Sequence, residues 1–175
     1  LKRDIVRDAL TRIAKRPDVD VRVVTLPTEG YRTTVRGVVR DGRFALRRRH
    51  SHDPVVIDQC LVLHPLLDEL VREGDFGAAQ EVTLRCGART GERLAIVTPT
   101  AEGVSLPDDV RVIGADQLRH GRRAWIHEEV DGRRFRISAR SFFQTRADGA
   151  DALVAQVREA VGDVDETTRL VDAYA

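Results

Sequence analysis

The chain of 175 residues contains no methionine, only two cysteines and only two lysines, Lys2 and Lys15, among its 29 basic residues. Because position 1 is a leucine that already belongs to a helical pattern, we expect an excised middle piece of a longer protein. Two cysteines are too few for a disulfide framework. No apolar stretch reaches the length of a membrane span and no secretory signal opens the chain. We therefore expect a soluble cytoplasmic protein with no membrane contact.

Positive and negative charges nearly cancel, at a net charge of +1, but the arginines are clustered. One cluster runs from Arg32 to Arg49 and contains a single acidic residue, Asp41; the second runs from Arg119 to Arg140 and contains three acidic residues. Guanidinium groups pair with phosphates and stack on bases, so such clusters suit a nucleic-acid backbone. The alternative is a solvated sheet face whose charges pair with one another.

Hydrophobic periodicity predicts most of the secondary structure. Helices are predicted over residues 1–16, 65–73 and 147–161, and strands over 21–26, 31–39, 43–49, 55–57, 81–87, 94–98, 110–113, 124–129 and 134–137. The pairs Asp41-Gly42 and Asp131-Gly132 predict tight hairpin turns. In the first hairpin, side-chain alternation places Arg32, Arg36 and Arg40 in one row on one face.

The chain changes character near Ser138. Strands dominate before this point; after it come a helix, with Thr145 as its predicted N-cap, and an apolar strand over 170–175. The order predicts an α+β domain at 1–138, with a mainly antiparallel sheet and flanking helices. Residues 139–175 are predicted to be the first helix and strand of a truncated Rossmann-like α/β domain, whose glycine-rich turn would follow residue 175.

The junction between these two parts offers groups that could bind a ligand. The Gln144 side chain can both donate and accept hydrogen bonds, and the neighbouring Phe142 and Phe143 can stack on a base. The alternative is that both phenylalanines are core residues and that Gln144 satisfies a turn. Cys60 and Cys86 are typical of buried small apolar residues, because neither has a second cysteine at metal-ligand spacing.

Five segments, taken in order, resemble the RNA 5-methyluridine methyltransferases, which are S-adenosylmethionine-dependent RNA (uracil-5)-methyltransferases. The matching segments are residues 1–6, 30–36 (Tyr-Arg-x-x-x-Arg), 55–60, 142–144 (Phe-x-Gln) and 170–175. The Phe-x-Gln segment and the final strand, at their mutual spacing, are the most specific. The resemblance spans almost the whole chain.

This resemblance implies roles for individual residues. Gln144 and Tyr174 would contact S-adenosylmethionine, and Phe142 would lie beside the target-base pocket. Residues 1–138 would be the central RNA-docking domain and 139–175 the start of the cofactor-binding domain. Within the docking domain, Arg32 and Arg36 of the arginine row would contact tRNA or rRNA. We also expect the protein to be a monomer.

Cys60 corresponds to the fourth ligand of an iron–sulfur cluster in the cluster-bearing members. Leu61 replaces the proline that follows it in the family, and the three upstream cysteines are absent. The nucleophilic cysteine and the general base would lie after residue 175. In the family mechanism, a thiolate adds to carbon 6 of a flipped uridine and carbon 5 takes the methyl group before elimination.

Two other interpretations remain open at this point. One is a non-catalytic RNA-binding module that shares the scaffold. The other is a different α/β enzyme whose first strand has a similar sequence.

Overall fold

The computed structural model describes residues 1–172. Within this range the helices are α1 (Lys2–Arg12), α2 (Pro65–Glu73), α3 (Ala115–Arg119) and α4 (Ala147–Val161). The strands are β1 (Thr34–Arg40), β2 (Arg43–Arg47), β3 (Pro54–Val56), β4 (Glu81–Cys86), β5 (Arg93–Thr98), β6 (Val110–Gly114), β7 (Trp125–Val130) and β8 (Arg133–Ser138). No helix in this part of the chain is long and apolar enough to cross a membrane.

Six strands form one sheet in the order β3-β2-β1-β4-β5-β6, and β7 pairs with β8 as a separate hairpin. All neighbouring strands are antiparallel except β5 and β6, which run parallel. Residues 99–109 form the crossover connection that a parallel pair requires. The prediction of a mixed fold with a mainly antiparallel sheet is confirmed.

The two Asp-Gly turns have the backbone conformation that their sequences predict. Asp41 and Gly42 have φ angles of 51° and 74°, and Asp131 and Gly132 have φ angles of 52° and 69°. Positive φ at both central residues matches the right-handed twist of the flanking strands, and this explains why hairpins form at these positions.

The sheet separates two cores. Helix α2 packs on one face, where Phe44, Leu67 and Val82 are buried. The β7–β8 hairpin packs on the other face, where β7 contacts β4 and β5 and where Leu94 and Ile126 are buried. This second face continues past the hairpin to Thr34 and Arg36 of β1 and to Glu81 and Thr83 of β4, and we call that part the open face.

Some sequence-based predictions differ from the structure within residues 1–172. Residues 21–26 form no strand: Val23 and Val24 are about half exposed, and no neighbouring strand pairs with their backbone. Residues 170–172 also form no strand, and the rest of that predicted strand lies outside the described residues. The N-cap of α4 is Arg146 rather than Thr145, because Asp148, the expected partner in a capping box, pairs with the Arg146 guanidinium.

Candidate functional site

The segment from Ser141 to Gln144 lies beside the open face. A cavity of about 250 Å³ separates this segment from β1 and β4. Its lining includes Thr34, Thr83, Arg85, Ser141, Phe142 and Phe143. The fold therefore brings the predicted Phe-x-Gln segment next to the strand that carries Arg36, although the sequence separates them by about a hundred residues.

Arg85 anchors this segment to the sheet. Its side chain is buried, and one guanidinium nitrogen donates hydrogen bonds to the carbonyl oxygens of Ser138 at 2.9 Å, Ser141 at 2.9 Å and Ala139 at 3.3 Å. No acidic side chain of residues 1–172 forms an ion pair with it, and burial lowers its pKa. Backbone carbonyls thus take the place of a carboxylate. Sequence reasoning missed Arg85; its one signal was an arginine between the apolar residues Leu84 and Cys86 of a predicted strand.

The two phenylalanines have different environments. Phe143 joins the second core, and its ring centroid lies 5.8 Å from that of Phe135. Phe142 is 83% exposed at the edge of the cavity. The core interpretation therefore holds for Phe143 and is wrong for Phe142, whose ring is available for stacking on a base.

Gln144 is exposed next to Phe142. Its side-chain amide forms no hydrogen bond with any of residues 1–172, so it does not satisfy a turn there. Both its donor and its acceptor atoms are available to a ligand, which fits the role expected for a cofactor contact. Tyr174, the second predicted cofactor contact, lies outside the described residues.

The chain after Gln144 contacts the segment that precedes β1. The Thr33 amide donates a hydrogen bond of 2.8 Å to the Thr145 carbonyl oxygen. The Arg146 guanidinium lies 4.3 Å from the centre of the Tyr31 ring and hydrogen-bonds Asp148, which lowers the pKa of that carboxyl group. The structure therefore places two segments of the family resemblance, 30–36 and 142–144, side by side.

The predicted arginine row is only partly available to a ligand. Arg36 forms an ion pair of 2.5 Å with Glu81, which also lies 3.5 Å from Arg47, and the Arg36 hydrogen bond lowers the pKa of Glu81. Arg40 pairs with the neighbouring Asp41 at 3.7 Å. Arg32 is exposed and has no acidic partner within residues 1–172. The alternative of a self-paired sheet face thus holds for Arg36 and Arg40.

The cysteines do not assemble a metal site in the described part of the chain. Within residues 1–172, no group of three His, Cys, Asp or Glu side chains could hold a metal ion. Cys60 packs against the first core, and its backbone amide donates a hydrogen bond of 2.9 Å to Asp68. Cys60 by itself cannot hold an iron–sulfur cluster, which takes four ligands.

Cys86 is not suited to act as a nucleophile. It is buried in the first core, and burial, together with the nearby charge of Glu128, raises the pKa of its thiol to about 12. The thiolate is the reactive form of cysteine, so this side chain is unreactive at neutral pH.

Curated relatives match almost the whole chain, whereas no family model matches it. A protein of Streptomyces avermitilis named as an uncharacterized RNA methyltransferase is 27% identical over 185 residues, covering 92% of this chain and 42% of that protein. A protein of Lactiplantibacillus plantarum with the same name is 30% identical, covering 99% of this chain and 46% of that protein. The chain thus spans slightly less than half the length of these relatives.

A solved structure shares the fold. The tRNA (uracil-54, C5)-methyltransferase of Pyrococcus abyssi, in complex with S-adenosyl-L-homocysteine, superimposes with a TM-score of 0.62 at 21% identity. The match covers 93% of this chain and 48% of that one. The relatives confirm the predicted similarity of the chain to RNA methyltransferases, and the solved structure shows that the chain shares its fold with a tRNA (uracil-54, C5)-methyltransferase.

Proposed function

We propose that the whole protein transfers a methyl group from S-adenosylmethionine to carbon 5 of a uridine in tRNA or rRNA. This chain would supply the RNA-docking half, in residues 1–138, and the start of the cofactor-binding half, in residues 139–175. The observation that carries the proposal is the exposure of Phe142 at the edge of a cavity, followed two residues later by the exposed Gln144, in a chain similar to RNA methyltransferases.

Phe142 and Gln144 have complementary roles in this proposal. The exposed Phe142 ring provides an apolar face on which the target base or its neighbour stacks. The Gln144 amide hydrogen-bonds S-adenosylmethionine, which supplies the methyl group. Tyr174, outside the described residues, is proposed as the second cofactor contact. Cys86 is not suited to be the nucleophile, and the family resemblance assigns that role to a cysteine after residue 175.

Arg32 and Arg36 are proposed to contact the RNA backbone from the same side of the fold. Arg32 is available to bind a phosphate, whereas Arg36 must first break its ion pair with Glu81 before it can bind one. An exposed ion pair contributes about 0–1 kcal/mol, so a phosphate can compete for Arg36. Arg32 is therefore the stronger contact of the two.

The remaining candidate is a non-catalytic RNA-binding module that shares the scaffold. Only the methyltransferase would form a methylated product from RNA, whereas the module would bind RNA without changing it. Full-length protein incubated with S-adenosylmethionine and unmodified tRNA or rRNA should yield 5-methyluridine, measured by mass spectrometry of the digested nucleosides. RNA binding without methyl transfer would establish the module instead, and methylation at another atom would overturn the assignment of carbon 5.

A variant tests the role of Phe142. Phe142→Ala should lower kcat/KM for methylation by about fivefold or more, because loss of one aromatic–base stack costs about 1–3 kcal/mol. Val164→Ala is the control, since Val164 is also an exposed apolar residue and lies away from the cavity lining. Equal activity of the two variants would remove Phe142 from the base site.

A further inference from the structure

The second arginine cluster surrounds a cavity that the function proposed above does not use. The cavity has a volume of about 410 Å³ and lies between the β7–β8 hairpin and α3. We call it the Trp125 pocket; its lining includes Arg122, Arg123, Trp125, Arg136, Ala139 and Arg140.

The charge of this pocket is not balanced within the described part of the chain. No acidic residue lines it, and none of residues 1–172 forms an ion pair with Arg122, Arg123, Arg136 or Arg140. The first cluster differs, because Arg36 pairs with Glu81. A concave surface lined by one sign of charge concentrates counter-ions of the other sign, so the Trp125 pocket is suited to a polyanion.

The Trp125 ring indicates which kind of polyanion the pocket is suited to bind. The guanidinium carbons of Arg111 and Arg136 lie 5.5 and 5.6 Å from the centre of the Trp125 ring. Arg111 also donates a hydrogen bond of 2.5 Å to the Trp125 carbonyl oxygen. The pocket wall therefore carries planar groups on which bases stack. An acidic protein has charges but no bases, so the arrangement favours a single-stranded nucleic acid.

The Trp125 pocket adjoins the candidate functional site. Ala139 lines both this pocket and the cavity beside Phe142. Arg85 hydrogen-bonds the carbonyl oxygens of Ser138 and Ala139, which links the wall between the two cavities to the sheet. The short segment 138–142 therefore carries lining residues of both cavities.

We propose that the Trp125 pocket binds the single-stranded RNA that flanks the nucleotide at Phe142. Arg122, Arg123 and Arg140 contact phosphates, and a base stacks against Trp125 and Arg136. The proposal rests on the function proposed above, because it specifies where that RNA lies.

Trp125 is the only tryptophan of the chain, so its fluorescence reports on the pocket directly. Titration of the full chain with a short single-stranded uridine-containing RNA should quench this fluorescence to saturation. Polyglutamate at equal charge should leave it unchanged. Absence of quenching by RNA, or equal quenching by polyglutamate, would overturn the proposal.

Charge variants test the phosphate contacts. The triple variant Arg122→Gln/Arg123→Gln/Arg140→Gln should weaken RNA binding at least about tenfold, and the slope of log K against log salt should fall by about 2. The matched control is Arg7→Gln/Arg12→Gln/Arg72→Gln, which removes the same charge from exposed arginines with acidic partners. The two triple variants should have equal melting temperatures.

The outcomes of these experiments distinguish a failure of the Trp125 pocket proposal from a failure of the proposed function. RNA binding that falls equally in both triple variants, or a lower melting temperature of the first variant alone, would overturn the pocket and leave the methyltransferase proposal standing. The methyltransferase proposal is tested separately, by formation of 5-methyluridine in the wild-type full-length protein. If the wild-type chain bound no RNA at low salt, the pocket and the RNA-docking role of this chain would both be wrong.

Discussion

Arg85 and Ser141 are joined by a hydrogen bond of 2.9 Å, from a guanidinium nitrogen to a carbonyl oxygen, that connects the sheet to the segment carrying Phe142 and Gln144. The same nitrogen reaches two further carbonyls, those of Ser138 and Ala139. A buried guanidinium without a carboxylate partner is costly unless its hydrogen bonds are satisfied, so these contacts hold the segment in one position.

Arg85→Met should therefore destabilise the protein. The substitution keeps much of the side-chain volume but removes the donor of three carbonyl groups, so the free energy of unfolding should fall by about 2–4 kcal/mol. Urea denaturation monitored by circular dichroism measures this change. Arg133→Met is the control, because Arg133 is exposed and has no acidic partner within residues 1–172. A loss below about 1 kcal/mol for Arg85→Met would contradict the anchoring role.

Two glycines should respond to alanine in opposite directions. At Gly37 of β1, an added Cβ would lie 2.5 Å from the buried Phe44 ring and 2.6 Å from the Ala45 carbonyl oxygen. Neither neighbour can move freely, so Gly37→Ala should lower the free energy of unfolding by about 1–3 kcal/mol.

At Gly149 of α4, the nearest atoms to an added Cβ are methylene carbons of the Arg146 side chain, at 3.0 Å. Alanine has the higher helix propensity, so Gly149→Ala should be neutral or stabilise the protein by up to about 1 kcal/mol. Thermal or urea unfolding of both variants checks the pair. Equal changes in the free energy of unfolding for the two variants would show that the close contacts at Gly37 do not determine the effect of the substitution.

Glu81 should make stability depend on acidity. The Arg36 hydrogen bond lowers its pKa in the folded protein. Its stabilising contribution is thus present above the ordinary glutamate pKa and is lost as the pH falls through the lowered value. Between about pH 5 and pH 3, the free energy of unfolding should fall more steeply in the wild type than in Glu81→Gln. Urea unfolding at several pH values measures the difference. Glu29→Gln, an exposed glutamate without an ion pair in residues 1–172, should behave as the wild type.

The same variant tests the arginine row at neutral pH. Glu81→Gln leaves Arg36 and Arg47 without their shared acidic partner, so RNA affinity should rise severalfold and depend more steeply on salt. Fluorescence anisotropy with labelled RNA at two salt concentrations measures both quantities. Unchanged affinity would show that this row does not contact the RNA.

Local patterns predicted much of the fold. The Asp-Gly turn at residues 41 and 42 has the expected backbone conformation, and Val35 and Arg36 lie on opposite faces of β1 as alternation requires. The helix over 65–73 has the predicted bounds, with Pro65 at its first turn. These features depend on residues close together in sequence, where sterics and periodicity suffice. The short helix α3 was missed because five residues are too few to show a helical period.

At the candidate site, local sequence patterns did not predict which side chains are exposed or paired. Nothing local distinguishes Phe142, which is exposed, from Phe143, which packs on Phe135. The pairing of Arg36 with Glu81 joins positions 45 residues apart, and it decides how much of the arginine row is available.

By itself, the sequence determined the strand-rich order, the hairpin turns, the Phe-x-Gln segment and the similarity to RNA methyltransferases. Only the tertiary structure decided which arginines are already paired, which aromatic ring is exposed, and that Arg85 holds the site segment. The reason is physical: turns and periodicity are set by neighbouring residues, whereas burial and ion pairing depend on which distant strands the fold places side by side.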